Sequence, residues 1–251
     1  MVVLWVAVMA VGLIGMIVCS KKQKTNPAMQ PVAILLFLVV LAGAVMLLKS
    51  MDVFGGGNAS ILESEMRFAE SRGAKVAKLT AGLAGGKKVL FIADKNYEQS
   101  ELGKRVVEAI RENCGGTLVI DSIAIPAKLA DQGIPVEEYM KAKDMDALLA
   151  KHADAGVVIS NIGLPQDAKR MKFFSTPAAN RPKMILMNTG FSNGFDFQKA
   201  LEKGDISAII VTSPAAKYDV KAPSDADKAF DIRYVLVTKD NAAQYKDQLP
   251  R

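Results

Sequence analysis

Two long apolar segments near the start of the chain constrain its structure more than any other feature. The first covers residues 1–19, the second covers residues 31–48, and neither contains a charged side chain. A helix that crosses the roughly 30 Å hydrocarbon core of a bilayer needs about 20 apolar residues. Both segments approach that length, so the sequence predicts a transmembrane helical hairpin over residues 1–50, with helices at about 1–19 and 29–48.

A cleaved signal peptide is the alternative interpretation of the first segment. Such a peptide begins with a basic region, whereas Val2, Val3 and Leu4 follow the first residue directly. A lipoprotein signal would use Cys19, but a small residue precedes the cysteine in such signals and Val18 is not small. We therefore expect both helices to be retained.

The loop between the two helices, residues 20–28, orients the hairpin. It holds Lys21, Lys22 and Lys24, and cationic loops stay on the cytoplasmic side of a membrane. The loop is therefore predicted to be cytoplasmic and both termini extracytoplasmic. The sequence predicts a two-pass protein of the inner membrane whose soluble part lies in the periplasm or otherwise outside the cytoplasm, with the lipid bilayer as its first partner.

The charge balance argues against a nucleic-acid partner. The chain has 32 basic and 26 acidic residues, but four of its lysines lie in the first fifty residues, which contain no acid. The remaining 28 basic and 26 acidic residues are nearly balanced, and a phosphate-backbone binder needs a strongly basic surface. We expect no nucleic acid to bind.

Residues 51–86 are predicted to form a linker followed by an amphipathic helix. Residues 55–57 are three glycines, a pattern typical of a flexible joint, and Ser60 with Glu63 forms a capping box at a helix start. An apolar stripe then continues to Leu83. This stripe indicates either a self-associating stalk or a helix packed on the sheet of the following domain, and the second interpretation is preferred.

Residues 87–251 are predicted to form an extracytoplasmic α/β domain. Short apolar segments that resemble buried strands alternate with helical patterns; the strands are expected at 89–93, 118–125, 157–160, 184–187, 206–211 and 234–238. The helices between and after them are expected at 102–114, 136–154 (one helix or two), 166–174, 195–203 and 241–248. Such alternation favours a doubly wound, flavodoxin-like, mostly parallel sheet of about five to six strands. Residues 215–231 look irregular and are the first place to expect a partner contact.

One stretch of this domain resembles a known family. Residues 89–97, VLFIADKNY, followed by a helix with RVVEAIR at 105–111, are similar to a lobe of the type I periplasmic binding proteins. Residues 146–151 and 156–160 resemble the next helix and strand of that lobe. The resemblance covers about residues 87–163 and implies a single lobe of the fold. A full member of the family has two lobes that close on a ligand, and this chain is too short for both.

Candidate ligand-binding residues follow the predicted strands, because ligands of open α/β sheets bind beyond the carboxyl ends of the strands. The alternative is that these residue types only build turns and helix caps. The candidates are Asp94, Asn96, Tyr97, Ser160, Asn161, Asn188, Thr189, Ser192, Asn193, Thr212 and Ser213.

No enzyme template fits the sequence. His152 is the single histidine and is expected to be a solvated residue at a helix end. Neither a G-x-S-x-G turn nor a phosphate-binding glycine motif is present. The two cysteines are too far from each other and from the histidine for a zinc site. We expect no catalytic residue, metal or cofactor.

These observations predict a membrane-anchored, non-enzymatic protein. Its α/β domain would act as an interaction or assembly module, an accessory subunit that contacts other membrane or envelope proteins or a second copy of itself. The alternative is a membrane-tethered module that binds or senses a small polar solute through the strand-end loops.

Overall fold

The computed structural model describes residues 2–22, 29–50, 56–124, 129, 134–190, 192 and 194–250. The chain divides into two compact units, residues 1–63 and 64–251. The helices are α1 (Val2–Lys22), α2 (Met29–Ser50), α3 (Gly56–Leu83), α4 (Glu101–Asn113), α5 (Val136–Tyr139), α6 (Ala142–Lys151), α7 (Lys172–Ser175), α8 (Phe197–Glu202) and α9 (Ala226–Arg233). The strands are β1 (Lys88–Ile92), β2 (Leu118–Asp121), β3 (Ala155–Ser160), β4 (Lys183–Leu186), β5 (Ala208–Thr212) and β6 (Tyr234–Val237).

The first unit contains the predicted hairpin helices. Stretches Trp5–Lys22 of α1 and Gln30–Leu48 of α2 are long and apolar enough to cross a membrane. Their insertion into a membrane stays a prediction from length and composition. The helix α1 extends to Lys22, three residues beyond its predicted end, and the rest of the predicted loop lies outside the described residues.

Glycines allow α1 and α2 to approach closely. A Cβ atom added at Gly12 would lie 2.6 Å from a methyl carbon of Val40, and one added at Gly43 would lie 2.9 Å from the Cγ of Met9. Small residues at such contacts let helix backbones pack against each other without the hydrophobic effect that drives packing in water.

The second unit is built on one sheet with the order β2-β1-β3-β4-β5-β6 among the described residues. The first five strands in this order are parallel, and β6 runs antiparallel to β5. The order β2-β1-β3-β4-β5 is that of flavodoxin-like folds. The α/β class and a mostly parallel sheet of six strands are therefore confirmed.

Helices cover both faces of this sheet. One face packs against α5, α6, α7 and α8 in a core that contains Leu90, Val158 and Leu186. The other face packs against α3, α4 and α9 through Phe91 and Ile159. Strand residues alternate between the two cores because successive side chains of a strand point to opposite faces.

The helix α3 lies on the sheet, as preferred from the sequence. Its Ala69 and Val76 belong to the core beneath it, and Gly73 lets it approach α4, since a Cβ atom there would lie 2.5 Å from the carbonyl oxygen of Val106. Gly56 and Gly57 are helical, which corrects the prediction of a flexible joint at these two residues. Gly55 lies outside the described residues.

The ends of the domain also differ from expectation. The helix α9 occupies part of segment 215–231, where Asp225 accepts a hydrogen bond from the Lys228 amide at 2.8 Å and caps the helix. The helix predicted at 241–248 is reduced to turns and a short 3-10 segment. Asn241 explains this difference, because its side chain binds the Thr238 amide and the Leu236 carbonyl and so competes with helical hydrogen bonds.

His152 is not the solvated residue that the sequence suggested. Its Nε2 atom lies 2.7 Å from Oδ2 of Asp121, and only 16% of its side chain is exposed. Lys151 reaches the same carboxylate oxygen at 2.7 Å. Burial raises the pKa of Asp121. Hydrogen bonds with His152, Lys151 and the Ser122 amide outweigh this effect, and the pKa falls to about 2. The last turn of α6 is thereby joined to the end of β2.

Replacing Asp121 should therefore destabilise the protein in a pH-dependent way. We expect Asp121→Asn to lower the free energy of unfolding at pH 7, because the uncharged amide loses the attraction to Lys151 and His152. The loss should be about 1 to 2 kcal/mol, since solvent screens part of this attraction. A carboxylate with a lowered pKa stabilises the fold above its unfolded pKa of about 4 and loses this effect as the pH falls through about 2. The difference from wild type should shrink below pH 4.

Denaturant titrations of the full chain in mild detergent, at several pH values, measure this effect. Asp154→Asn is the matched control, because Asp154 pairs with Lys88 on the surface and is 59% exposed. We expect the control to unfold at the same denaturant concentration as wild type, because solvent screens an ion pair on the surface. A pH-independent loss in Asp121→Asn would contradict the assignment.

The ion pair between Glu65 of α3 and Arg233 generates a second prediction. Arg233 is 3% exposed, and its two terminal nitrogens lie 2.6 and 2.7 Å from the Glu65 carboxylate. Glu65→Gln leaves a buried cation without its counter-charge, so we expect the free energy of unfolding to fall by about 1 to 3 kcal/mol. This corresponds to roughly 2 to 10 °C in melting temperature.

Thermal unfolding of the full chain in mild detergent, followed by circular dichroism, tests this expectation. Glu108→Gln is the control, because Glu108 is exposed and its nearest pairing, with Arg105, spans 4.0 Å. Equal melting temperatures for the two variants would show that the Glu65–Arg233 pair does not hold α3 in place.

Candidate functional site

The carboxyl edge of the parallel sheet carries two cavities. The first, of about 430 Å³, lies beyond β4 and β5 and is lined by Asn188, Thr189 and Thr212. The second, of about 390 Å³, lies beyond β1 and β3 and is lined by Asp94, Asn96 and Asn161. Volumes of this order accommodate small ligands. Arg72 and Tyr234 line both cavities and therefore form a common wall.

The second cavity occupies the position that the fold favours for a ligand. In a flavodoxin-like sheet the strand order reverses between β1 and β3, and the connections beyond these strands diverge to leave a crevice. Asp94 follows β1 and Asn161 follows β3. The first turn of α4 adds Ser100 and Gly103, and Ser100 caps this helix by accepting a hydrogen bond from the Gly103 amide at 3.2 Å.

The loops that follow β3 and β4 contact each other at the carboxyl edge of the sheet. Gly163, after β3, and Gly190, after β4, both have a φ of +69°, and a Cβ atom at Gly163 would lie 2.3 Å from the Gly190 nitrogen. Leu164 and Gly190 form an isolated parallel bridge. Only glycine tolerates this combination of backbone angle and contact. The loops after β3 and β4 therefore form one continuous surface.

Seven of the predicted residues line the cavities. Asp94, Asn96, Tyr97 and Asn161 belong to the second cavity, and Asn188, Thr189 and Thr212 belong to the first. Their ligand-binding role stays a prediction. Some of them also support the backbone: Asp94 accepts a hydrogen bond from the Asn96 amide at 2.7 Å, and Asn188 accepts one from the Gly190 amide at 3.0 Å.

The other candidates lie elsewhere. Ser160 is fully buried and donates to the Gly163 carbonyl at 2.7 Å, while Ser192 is 3% exposed and donates to the Thr189 carbonyl at 3.3 Å. Ser213 accepts a hydrogen bond from the Ala215 amide at 3.2 Å. Turn chemistry accounts for these three serines, which line neither cavity. Asn193 lies outside the described residues.

The shared wall was missed by sequence reasoning. Arg72 lies on α3, upstream of the first strand, and Tyr234 begins β6, whose antiparallel direction places its start at the carboxyl edge. A signal for Arg72 exists, because it lies four residues from both Phe68 and Val76, two fully buried residues of α3. A charged residue on the buried face of a helix is costly unless it finds a partner, so its position in the sequence indicates a specific role.

Arg72 and Glu65 set the electrostatics of the wall. Burial lowers the pKa of Arg72, although an arginine remains protonated at neutral pH. Glu65 also lines the second cavity, but its carboxylate is held by Arg233, whose hydrogen bond lowers the Glu65 pKa. Burial raises the pKa of Tyr97, so its phenol stays neutral. Among the described residues that line the two cavities, Arg72 is the one cation; Glu65 and Asp94 are carboxylates, and the rest include amides, hydroxyls and aromatic rings.

Metal binding has no group of ligands to support it in the part of the chain that the structure describes. No set of three histidine, cysteine or acidic side chains lies together there. The donors around both cavities are instead mostly neutral oxygens and nitrogens, which suit hydrogen bonding to a polar molecule.

The chain was compared with known families, curated proteins and solved structures. No family model and no curated protein matches the sequence. Matching solved structures include a carbohydrate transporter from Acidothermus cellulolyticus in complex with myo-inositol, at 13% identity over 71% of this chain and 60% of that chain, with a TM-score of 0.44. A sugar-binding protein of a sugar ABC transporter from Bacillus halodurans matches at 14% identity over 70% and 64%, with a TM-score of 0.44.

An ABC transporter solute-binding protein from Agrobacterium vitis, bound with α-D-tagatopyranose, matches at 11% identity over 74% of this chain and 61% of that chain, with a TM-score of 0.42. The chain thus spans less than two thirds of the length of these three structures. The first is described as a carbohydrate transporter, the second as a sugar-binding protein and the third as a solute-binding protein. At these TM-scores the likeness assigns no ligand to this chain.

Proposed function

We propose that this protein is a membrane-tethered, non-enzymatic module that binds a small polar solute at the carboxyl edge of its sheet. The observation that carries the proposal is the pair of cavities that share Arg72 and Tyr234 and that gather seven strand-end residues. This is the alternative that the sequence left open. The preferred interpretation, an assembly module, stays a prediction, because no described contact identifies a protein partner.

The chemistry of the edge supports a polar solute. Thr189 and Thr212 offer hydroxyls, Asn161 and Asn188 offer amides, and Tyr234 offers an aromatic face against which a ring or carbon skeleton can pack. Such sites combine a few directed polar groups with an apolar surface. A solute bound to a single lobe would stay partly open to solvent, which suits a sensing or capturing role.

A screen of amino acids, sugars and nucleotides by thermal shift tests the proposal on the full chain in mild detergent. We expect at least one solute to raise the melting temperature of the second unit. For the solute with the largest shift, Thr189→Val and Thr212→Val should each weaken binding by about 3- to 10-fold, because each removes one hydrogen bond.

Isothermal titration calorimetry measures this loss. Thr117→Val is the matched control, because Thr117 is an exposed residue just before β2, at the amino end of the strands. The control should bind as wild type does. A flat response to the whole panel, or equal losses in all three variants, would contradict a solute site at this edge.

The proposed location outside the cytoplasm rests on the lysines between the two apolar helices. In intact cells, a cysteine at the exposed Ser224 should react with a membrane-impermeant thiol reagent. Ser20→Cys, at the lysine-rich end of α1, should react only after lysis. The native Cys19 and Cys114 are buried and should give little background. The reverse pattern would invert the topology.

A further inference from the structure

The guanidinium of Arg72 has few contacts that could compensate its charge. One terminal nitrogen of its guanidinium donates to the Met187 carbonyl at 2.5 Å, and its Cζ lies 5.4 Å from the ring centre of Tyr234. Its Nε atom is buried and has no hydrogen-bond partner among the described residues. The guanidinium therefore contacts a carbonyl dipole and an aromatic ring.

Nearby carboxylates do not neutralise this cation. Glu65 lines the same cavity, but both of its oxygens are held by Arg233 at 2.6 and 2.7 Å. Asp94 also lines that cavity, forms no ion pair with Arg72, and accepts a hydrogen bond from the Asn96 amide. Within the described part of the chain, Arg72 takes part in no ion pair.

A partly desolvated arginine without a counter-charge is costly to a fold unless something compensates it. The buried Arg233 shows the usual solution in this same domain, a bidentate carboxylate. Arg72 differs from Arg233 because cavities of about 430 and 390 Å³ lie beside it. The space that a protein carboxylate would fill is therefore open to a ligand.

We propose that the solute carries an oxyanion, a carboxylate or a phosphate ester, which binds the guanidinium of Arg72 from the cavity lined by Thr189, Thr212 and Gln248. This inference rests on the proposed solute-binding function. The planar guanidinium fork matches an oxyanion better than a neutral group, and charge-assisted hydrogen bonds are about twice as strong as neutral ones. The hydroxyls and the Gln248 amide supply further donors, and Tyr234 packs against the body of the solute.

Matched pairs of probes separate this inference from the proposed function. The pairs are succinate with succinamide, glucuronate with glucose, and glucose 6-phosphate with glucose, with inorganic phosphate as a free anion. With the full chain in mild detergent, an anionic member should raise the melting temperature by roughly 5 to 10 °C at about 100 times its Kd. Its neutral partner should bind at least about 10-fold more weakly. Comparison of the arms tells a carboxylate from a phosphate.

Variants of Arg72 complete the test. Arg72→Met should weaken binding of the anion by about 30-fold or more, and Arg72→Lys, which keeps the charge but loses the fork, should weaken it less. Arg105→Met is the matched control, since Arg105 is exposed on α4 and lines neither cavity. Without a solute, Arg72→Met should melt no lower than wild type, because an uncompensated cation has been removed.

The outcomes are distinct. Preference for the anion that is lost in Arg72→Met and kept in Arg105→Met supports the inference. Binding of neutral solutes without preference for their anionic partners overturns the inference and leaves the proposed function standing. Anion binding that survives Arg72→Met also overturns the inference. If that variant in addition melts at a lower temperature than wild type, Arg72 has a structural role instead. No binding by any of these probes overturns the inference, and the proposed function falls with it only if the panel of amino acids, sugars and nucleotides is also flat.

Discussion

The ion pair between Glu65 and Arg233 is the interaction on which the architecture of the second unit depends. The Cζ of Arg233 also lies 3.5 Å from the ring centre of Phe68 and 5.0 Å from that of Tyr218, so cation–π contacts and the bidentate carboxylate act together. They join α3 to the end of α9, next to the antiparallel strand β6. Because α3 covers one face of the sheet, losing this attachment would expose apolar strand residues.

The same attachment assembles the candidate site. The strand-end loops supply amides and hydroxyls, but the wall between the two cavities comes from Arg72 on α3 and Tyr234 on β6. A sixth strand in the parallel direction would not begin at this edge and would not place Tyr234 there. The antiparallel β6 begins there and places an aromatic ring beside the guanidinium. Arg233 is thus neutralised by Glu65, whereas Arg72 lies beside the two cavities.

The sequence predicted best those features that depend on residues close together in the chain. The strands were predictable because short apolar segments between turn residues leave few alternatives when both faces of a sheet are buried. The helix expected at 102–114 begins one residue earlier, at Glu101, because Ser100 accepts a hydrogen bond from the Gly103 amide and caps it. The helix α9 was missed because its eight residues show a weak apolar pattern. The final helix was predicted but does not form, because the side chain of Asn241 hydrogen-bonds the Thr238 amide and the Leu236 carbonyl. His152 was misjudged because its partner, Asp121, lies 31 residues upstream.

By itself the sequence determined two apolar segments of membrane-spanning length, the alternation of strands and helices, and the strand ends at which polar residues collect. These properties are local, because periodicity, turn chemistry and loop charge can be read within a few neighbouring residues. Only the tertiary structure decided that Ser160 faces inward, that the loops at Gly163 and Gly190 touch, and that Arg72 enters the site. Arg72 reaches a carbonyl 115 residues away and Glu65 binds an arginine 168 residues away. Contacts over such separations arise from the packing of α3 on the completed sheet, and no local pattern specifies them.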